Sequence, residues 1–418
     1  VSSFGISGTN AHVILEEAPL SDEASLAGEV SSVEEPELVP WVVSARSEAA
    51  LEEQVRRVRE LEASAVEVGW SLVTTRSVFE HRAVIVDGDV VSGVAGDVGP
   101  GPVLVFPGQG SQWVGMGAQL LDESPVFADR IAECEQALAP HVGWSLTEVL
   151  RGGGELDRVD VVQPVLWAVM VSLAAVWEGY GVRPAAVIGH SQGEIAAACV
   201  AGVLSLQDAA RIVAVRSDAL RQLQGRGDMA SIGTGPDEVR ALIGDHRPGV
   251  SVAVVNSASS TVISGPPGDI AAVVSEAEAR GLRARLIDVG YASHNAQIDE
   301  LREELTRRLS DVHPVAVSDV AFYSTVTAAR IDTATLDTGY WVTNLREQVR
   351  FAETIKALQA DGYRLFIEAS PHPVLVLPME ETIDTGTIVP TLRRDHGTTH
   401  QLTLAAAQAF TAGADINW

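Results

Sequence analysis

Gly189-His190-Ser191-Gln192-Gly193 is the stretch whose residue types and spacing could do chemistry. The apolar residues Val187 and Ile188 lead into Gly-X-Ser-X-Gly, and a small-residue helical pattern of Ile195, Ala196, Ala197 and Ala198 follows at once. This is a nucleophile elbow. Its strand-to-helix reversal is tight enough that both flanking positions must lack a bulky Cβ, so the serine oxygen projects above the sheet. The first helical turn behind Ser191 aims unpaired N–H groups and a positive dipole end at the place where an oxyanion would form. A five-residue match can arise by chance in any glycine-rich turn. Here the apolar strand on one side and the helix on the other supply the context the chemistry needs.

A second glycine turn stands upstream, where the apolar run Val103-Leu104-Val105-Phe106 enters Pro107-Gly108-Gln109-Gly110-Ser111-Gln112. Backbone N–H groups in such a turn can approach a ligand closely. It lacks the Gly-Lys-Ser/Thr ending of a P-loop, which argues against nucleotide binding.

The elements that must position these turns belong to a chain of 418 residues, long enough for more than one globular unit. With 46% hydrophobic residues and 37 glycines, the composition is that of a folded α/β protein. A formal net charge of −27 argues against nucleic acid and anionic membranes as partners. The two cysteines, Cys134 and Cys199, have no metal spacing and read as buried thiols of a reducing compartment, so the expected location is cytoplasmic. No signal-peptide pattern and no apolar run of membrane length is visible, and residues 164–176 read as a buried core helix.

Residues 16–37 are acidic and rich in Ser and Ala, as a solvated linker would be. A strand at 40–45 precedes a helix that Ser47 caps, with Leu51, Val55, Val58 and Leu61 on one stripe. A helical pattern at 68–74 and a strand at 82–86 complete a small αβ unit that needs a neighbour to cover its sheet. Residues 206–220 form an amphipathic helix with Ala210, Val213 and Ser217 facing inward and Arg216 close to that face. Strands at 229–232, 251–255, 261–264 and 283–289, with helices at 236–243 and 269–279, give the order β-α-β-β-α-β. That is the ferredoxin-like order. Its last strand leads into Tyr291 to His294, and a cleft between two subdomains is where a ligand is expected. Downstream, 299–309 reads as a charged helix, 321–324 and 365–369 as strands, and 402–410 as a helix.

The glycine loop from Phe106 to Gln112 and the elbow from Gly189 to Gly193, in this order and at this separation, resemble the malonyl-type acyltransferase family, that is, malonyl-CoA:acyl carrier protein transacylases, over roughly residues 101–394. The opening Val1-Ser2-Ser3-Phe4-Gly5-Ile6-Ser7-Gly8-Thr9-Asn10-Ala11-His12 is similar to the closing segment of ketosynthase domains in modular type I polyketide synthases. That family's catalytic residues would lie upstream of Val1, so His12 receives no chemistry. The resemblance divides the chain into a ketosynthase remnant at 1–16, an acidic linker at 17–39 and an α/β linker domain at 40–100. A large acyltransferase subdomain follows at 101–228 and 296–390, a small one at 229–295, and a post-acyltransferase linker at 391–418. The implied fold class is α/β: an α/β-hydrolase-like large subdomain with an inserted ferredoxin-like small subdomain, preceded by the small α/β linker domain.

The same resemblance implies roles. Ser191 matches the acyl-carrying nucleophile, and His294, in Gly290-Tyr291-Ala292-Ser293-His294, its general base. Asn344 aligns with the position that supplies the carbonyl orienting the imidazole, and His190 takes a supporting place at the pocket wall. The oxyanion hole would use the backbone N–H groups of Gln109 and Gln192. Arg216 matches the arginine whose planar fork grips the free carboxylate of a dicarboxylic acyl group. Malonyl-specific members tend to carry His-Ala-Phe-His where this chain has Tyr291-Ala292-Ser293-His294, the pattern associated with methylmalonyl. Ser293 in place of phenylalanine leaves room for an α-methyl group, and one methyl discriminates by about 1–3 kcal/mol. Gln192 and the run Arg158-Val159-Asp160-Val161-Val162-Gln163-Pro164 look like the same subset, with ethylmalonyl as an alternative.

The implied reaction carries a methylmalonyl group from a CoA thioester to the phosphopantetheine thiol of an acyl carrier protein, with no permanently bound cofactor and no metal. The adjacent ketosynthase and downstream domains of the module are the other expected partners, and the chain itself is expected to be a monomer. A serine hydrolase or thioesterase would use the same elbow but release free acid to water. A docking scaffold would account for the flanking segments and leave Ser191, His294 and Arg216 together unexplained.

Overall fold

A computed structural model describes residues 2–4, 10–12, 38–315 and 318–418. Residues 1–37 and 38–418 form two compact units. In the first, strand Ser2–Phe4 pairs antiparallel with Asn10–His12. The rest of the predicted ketosynthase remnant, and the acidic linker up to residue 37, lie outside the described residues.

In the second unit the chain begins with a three-stranded antiparallel sheet of Trp41–Ala45, His81–Val86 and Asp89–Val94. The third strand was not expected from the sequence. Ser47 Oγ accepts the Ala50 N–H to cap helix Glu48–Arg59, whose Glu48 and terminal Arg56, Arg57 and Arg59 both suit the helix dipole. Strand alternation gives the sheet two apolar faces. Val43, Ala45, Ala83 and Ile85 pack on Leu51 and Val58 of that helix and Val68 of the next, Ala65–Thr75. Val42, Val84 and Val86 point the other way, into the main core. There the C-terminal helix Thr399–Ala412 supplies the required neighbour: Arg82 donates to Phe410 O and Ala414 O and stacks 4.6 Å over the Phe410 ring.

The main sheet has six strands in the order Ala329–Arg330, Ala321–Ser324, Ala186–Gly189, Pro102–Phe106, Leu365–Glu368, Thr387–Pro390. All but the first pair are parallel. Their near-continuous Val, Ile, Leu and Phe content is what a sheet covered on both faces requires. Helix Val159–Gly179 lies in the core behind it, almost wholly buried. It is long and apolar enough to cross a membrane, but its surroundings are protein. The two central strands end in the glycine loop and the elbow, so both turns open at the same edge of the sheet.

The small subdomain is a four-stranded antiparallel sheet, Ala284–Ile287, Asp228–Ile232, Ser260–Gly265, Ser251–Ser257 in spatial order. That is the ferredoxin-like arrangement expected. Ala230, Ile232 and Ile263 face helices Pro236–Ile243 and Pro267–Ala279. The alternate residues Met229, Val254 and Val262 face Val349 and Phe351 of the large subdomain. Val349 also exchanges backbone hydrogen bonds with Ala253 and Val255, which ties the two subdomains together beside the cleft.

At the elbow the glycine requirement is steric. A Cβ on Gly189 would lie 2.0 Å from Glu194 N, and one on Gly193 would lie 2.0 Å from Phe106 O. Gly193→Ala must therefore push helix Gly193–Val200 off the neighbouring strand, at a cost of at least about 3 kcal/mol. Thermal denaturation checks this; a variant as stable as wild type would contradict it.

Candidate active site

Ser191 sits between strand Ala186–Gly189 and helix Gly193–Val200 with φ at 53°, and His294 also has a left-handed φ of 55°. Neither conformation is favoured by a residue with a Cβ, so surrounding bonds must impose it. For His294 those bonds are visible. Its N–H donates to Leu345 O, while the side-chain amide of Asn295 donates to Gly249 O, Ser264 O and Ser251 Oγ of the small subdomain. The turn is thus clamped from both subdomains.

His294 Nε2 lies 2.8 Å from Ser191 Oγ, and His294 Nδ1 lies 2.7 Å from the backbone oxygen of Glu347. A carbonyl only accepts, so Nδ1 carries the proton and Nε2 presents its lone pair to the serine hydroxyl. Here the structure corrects an expectation. Asn344 does not orient the imidazole; Glu347 O does, because it is the carbonyl just past helix Thr338–Arg346 that points at Nδ1. The Asn344 side chain instead accepts from Arg216 Nη1 at 2.6 Å and donates to Ser191 O and to Glu194 Oε2.

Arg216, on helix Leu206–Leu220, is 3% exposed and donates through Nη2 to Ser191 Oγ at 2.8 Å. Its Nε has no partner. Among the described residues no carboxylate forms an ion pair with it, and burial depresses its pKa to about 10 against the pull of Tyr291 and Glu194. An unpaired buried guanidinium is costly and is poised to receive an anion.

Burial, then the Arg216 charge, hold His294 down to about 3, and burial holds His190 down to about 4. Both imidazoles are neutral near pH 7. His190 Nε2 meets Asn256 Oδ1 at 2.9 Å and its ring packs on Phe351, so it lines the pocket without reaching the serine. Gln109 and Gln192 border the same cavity, and among the described residues their backbone N–H groups donate to no protein acceptor.

The cavity holds about 330 Å³. Tyr291 is fixed at its wall by Gln163 Nε2 at 3.3 Å and itself donates to Gln109 Oε1 at 3.2 Å, linking the wall to the glycine loop. Ser293 Oγ turns to Met229 Sδ at 3.3 Å, and Ala292 is fully buried. A second groove of about 550 Å³ shares Ser231, Ser260 and Pro378 with the cavity and is also lined by Ala284 and Arg285 at the start of strand Ala284–Ile287. Sequence reasoning missed Glu194 and Glu347. A carboxylate in a first helical turn reads as a dipole partner, and a backbone acceptor has no sequence signature.

Residues 103–416 match the family described as acyl transferase domain, and residues 1–86 match the ketoacyl-synthetase C-terminal extension. The chain belongs to the acyltransferase domain family. Over its whole length it is 48% identical to erythronolide synthase EryA3 of Saccharopolyspora erythraea and 47% identical to polyketide synthase GfsE of Streptomyces halstedii. It spans only 14% and 12% of those proteins. The acyltransferase domain from module 8 of the salinomycin polyketide synthase is 44% identical and superposes with a TM-score of 0.87, covering 91% of this chain and 97% of that one. This acyltransferase therefore shares the fold of polyketide synthase acyltransferase domains.

The depressed imidazoles have a pH consequence with a definite sign. The unfolded chain takes up protons near 6.5 that the folded one refuses, so this contribution to stability is full above 6.5 and is lost as pH falls toward 4 and then 3. Over the same range, while the domain stays folded, His294 keeps its lone pair. The kcat/KM for self-acylation, measured in short assays with folding followed by near-UV circular dichroism, should stay level as pH drops through 6.5. An acid limb centred near 6.5 would show that the histidine titrates normally.

Proposed function

We propose that this domain takes a methylmalonyl group from its CoA thioester onto Ser191 and passes it to the phosphopantetheine thiol of an acyl carrier protein. The observation that carries the reading is Arg216: buried, without an ion-pair partner among the described residues, with Nε unpartnered, and 2.8 Å from the nucleophile. A free carboxylate on the acyl chain would complete it bidentately, whereas a monocarboxylic acyl group would leave it unpaired.

In the first half-reaction His294 Nε2 takes the Ser191 proton as Oγ bonds to the thioester carbon. The tetrahedral oxyanion is held by the N–H groups of Gln109 and Gln192. Its collapse breaks the carbon–sulfur bond, and the imidazolium returns the proton to the leaving CoA thiolate. In the second half the carrier's thiol gives its proton to His294, attacks the ester carbon, and the departing Ser191 oxygen recovers the proton. Each half begins and ends with neutral His294, which its depressed pKa favours. The long groove beside strand Ala284–Ile287 is a suitable path for the pantetheine arm common to donor and acceptor. Methylmalonyl is preferred to malonyl because Ser293 leaves volume that a phenylalanine would fill.

Incubation with malonyl-, methylmalonyl-, ethylmalonyl- and propionyl-CoA, read by intact mass, tests this directly. Wild type should gain the methylmalonyl mass foremost, Ser191→Ala should gain none, and Arg216→Ala should lose the dicarboxylic groups selectively. An unmodified wild type would refute the acyl-serine, and equal loss with propionyl-CoA would refute the carboxylate role. Ser293→Phe should shift the preference from methylmalonyl to malonyl by roughly 10- to 100-fold in kcat/KM. An unchanged preference would mean that Ser293 does not set the volume.

A further inference from the structure

Glu194 is the second residue of the helix behind the nucleophile, and its side chain is fully buried. All its neighbours donate. Oε1 receives the Thr325 N–H and the Thr325 hydroxyl, each at 2.6 Å; Oε2 receives the Tyr340 hydroxyl at 2.5 Å and Asn344 Nδ2 at 2.9 Å. Burial raises its pKa, while these four donors favour the ionised form, in which the carboxylate only accepts.

Asn344 has one donating and one accepting end. Its Nδ2 meets two acceptors, Glu194 Oε2 and Ser191 O, so its oxygen is forced to the opposite side, where Arg216 Nη1 lies at 2.6 Å. Arg216 Nη2 in turn reaches Ser191 Oγ. The chain of bonds runs from carboxylate to amide to guanidinium to nucleophile, across the helices that carry Glu194, Asn344 and Arg216. An amide at position 344 also keeps the two charges apart. A direct carboxylate–guanidinium pair would occupy the fork that an incoming carboxylate needs.

We propose that Glu194 is a positioning residue for acyl selectivity: by fixing the orientation of the Asn344 amide it aims the Arg216 guanidinium at the acyl carboxylate and holds it unpaired. This rests on the reading of Arg216 as the carboxylate site. In Glu194→Gln the Thr325 N–H holds the remaining oxygen on its own side, so the new NH₂ faces Asn344. The Asn344 amide must then turn over and present its own NH₂ to Arg216. In Asn344→Asp a carboxylate would bind Arg216 directly and compete with substrate.

The experiment compares kcat/KM for self-acylation by methylmalonyl-CoA and propionyl-CoA in wild type, Glu194→Gln, Asn344→Asp, Thr325→Val and Arg216→Ala. Glu194→Gln should lower the methylmalonyl-to-propionyl ratio tenfold or more, mainly through KM, and Asn344→Asp should lower it at least as far. Thr325→Val removes a bond to the same carboxylate without touching the Asn344 side, so it should lower Tm yet leave the ratio within twofold. Equal losses on both substrates in Glu194→Gln, or a ratio shift in Thr325→Val as large as in Glu194→Gln, would overturn the inference. Should Glu194→Gln fail to fold, Asn344→Asp decides: an unchanged ratio overturns the proposal. Arg216→Ala separates the two levels. If it lowers both substrates equally the carboxylate reading itself falls; if it is selective while Glu194→Gln and Asn344→Asp are not, only the role of Glu194 falls.

Discussion

Burying the Arg216 guanidinium beside the nucleophile, with no ion-pair partner among the described residues, is the constraint on which the rest of the pocket depends. Desolvating a charge is expensive, and in most folded proteins a carboxylate offsets it. Here neutral acceptors do so in part: the Asn344 carbonyl takes one N–H and the Ser191 oxygen another. The Glu194 carboxyl stands one amide away, on the far side of Asn344. After burial, the same charge helps keep His294 unprotonated, so it bears on the base as well as on the nucleophile it touches.

Backbone strain is the second constraint. Ser191 and His294 occupy left-handed conformations that cost on the order of 1–3 kcal/mol each for residues with a side chain. The fold holds them by different means. Ser191 is trapped because Gly189 and Gly193 let strand and helix close to distances that admit no Cβ. His294 is held by hydrogen bonds from Asn295 into the small sheet and from its own N–H to Leu345. The 2.8 Å contact between serine and imidazole is therefore set by how the two subdomains dock.

Local patterns were legible in the sequence, and contacts through space were less so. The elbow, the glycine loop and the ferredoxin-like order follow from periodicity and steric rules that act within a few residues. Helix 206–220 could be read with its boundaries, since Ser205 caps it and its apolar stripe is regular. The strand Asp89–Val94 was missed although its signal is local: Asp87 and Gly88, at φ 45° and 90°, turn the chain back so that it pairs along its whole length with His81–Val86. Glu347 escaped for a different reason: a backbone carbonyl can be supplied by any residue type. Asn344 was found at the right site with the wrong partner, since proximity to an aligned position does not say which way an amide points.

A net charge of −27 looks at first sight unsuited to a substrate that is itself an anion. The two act in different media. Surface carboxylates are screened within about 8 Å at physiological ionic strength, and many already pair with arginines, as Glu53 does with Arg56 and Arg57. Arg216 acts where water is excluded and the effective dielectric is low, so one guanidinium at hydrogen-bond distance outweighs many distant charges. The acidic surface governs how the domain meets other macromolecules. Among the described residues that line the pocket with Ser191, Arg216 is the one arginine or lysine.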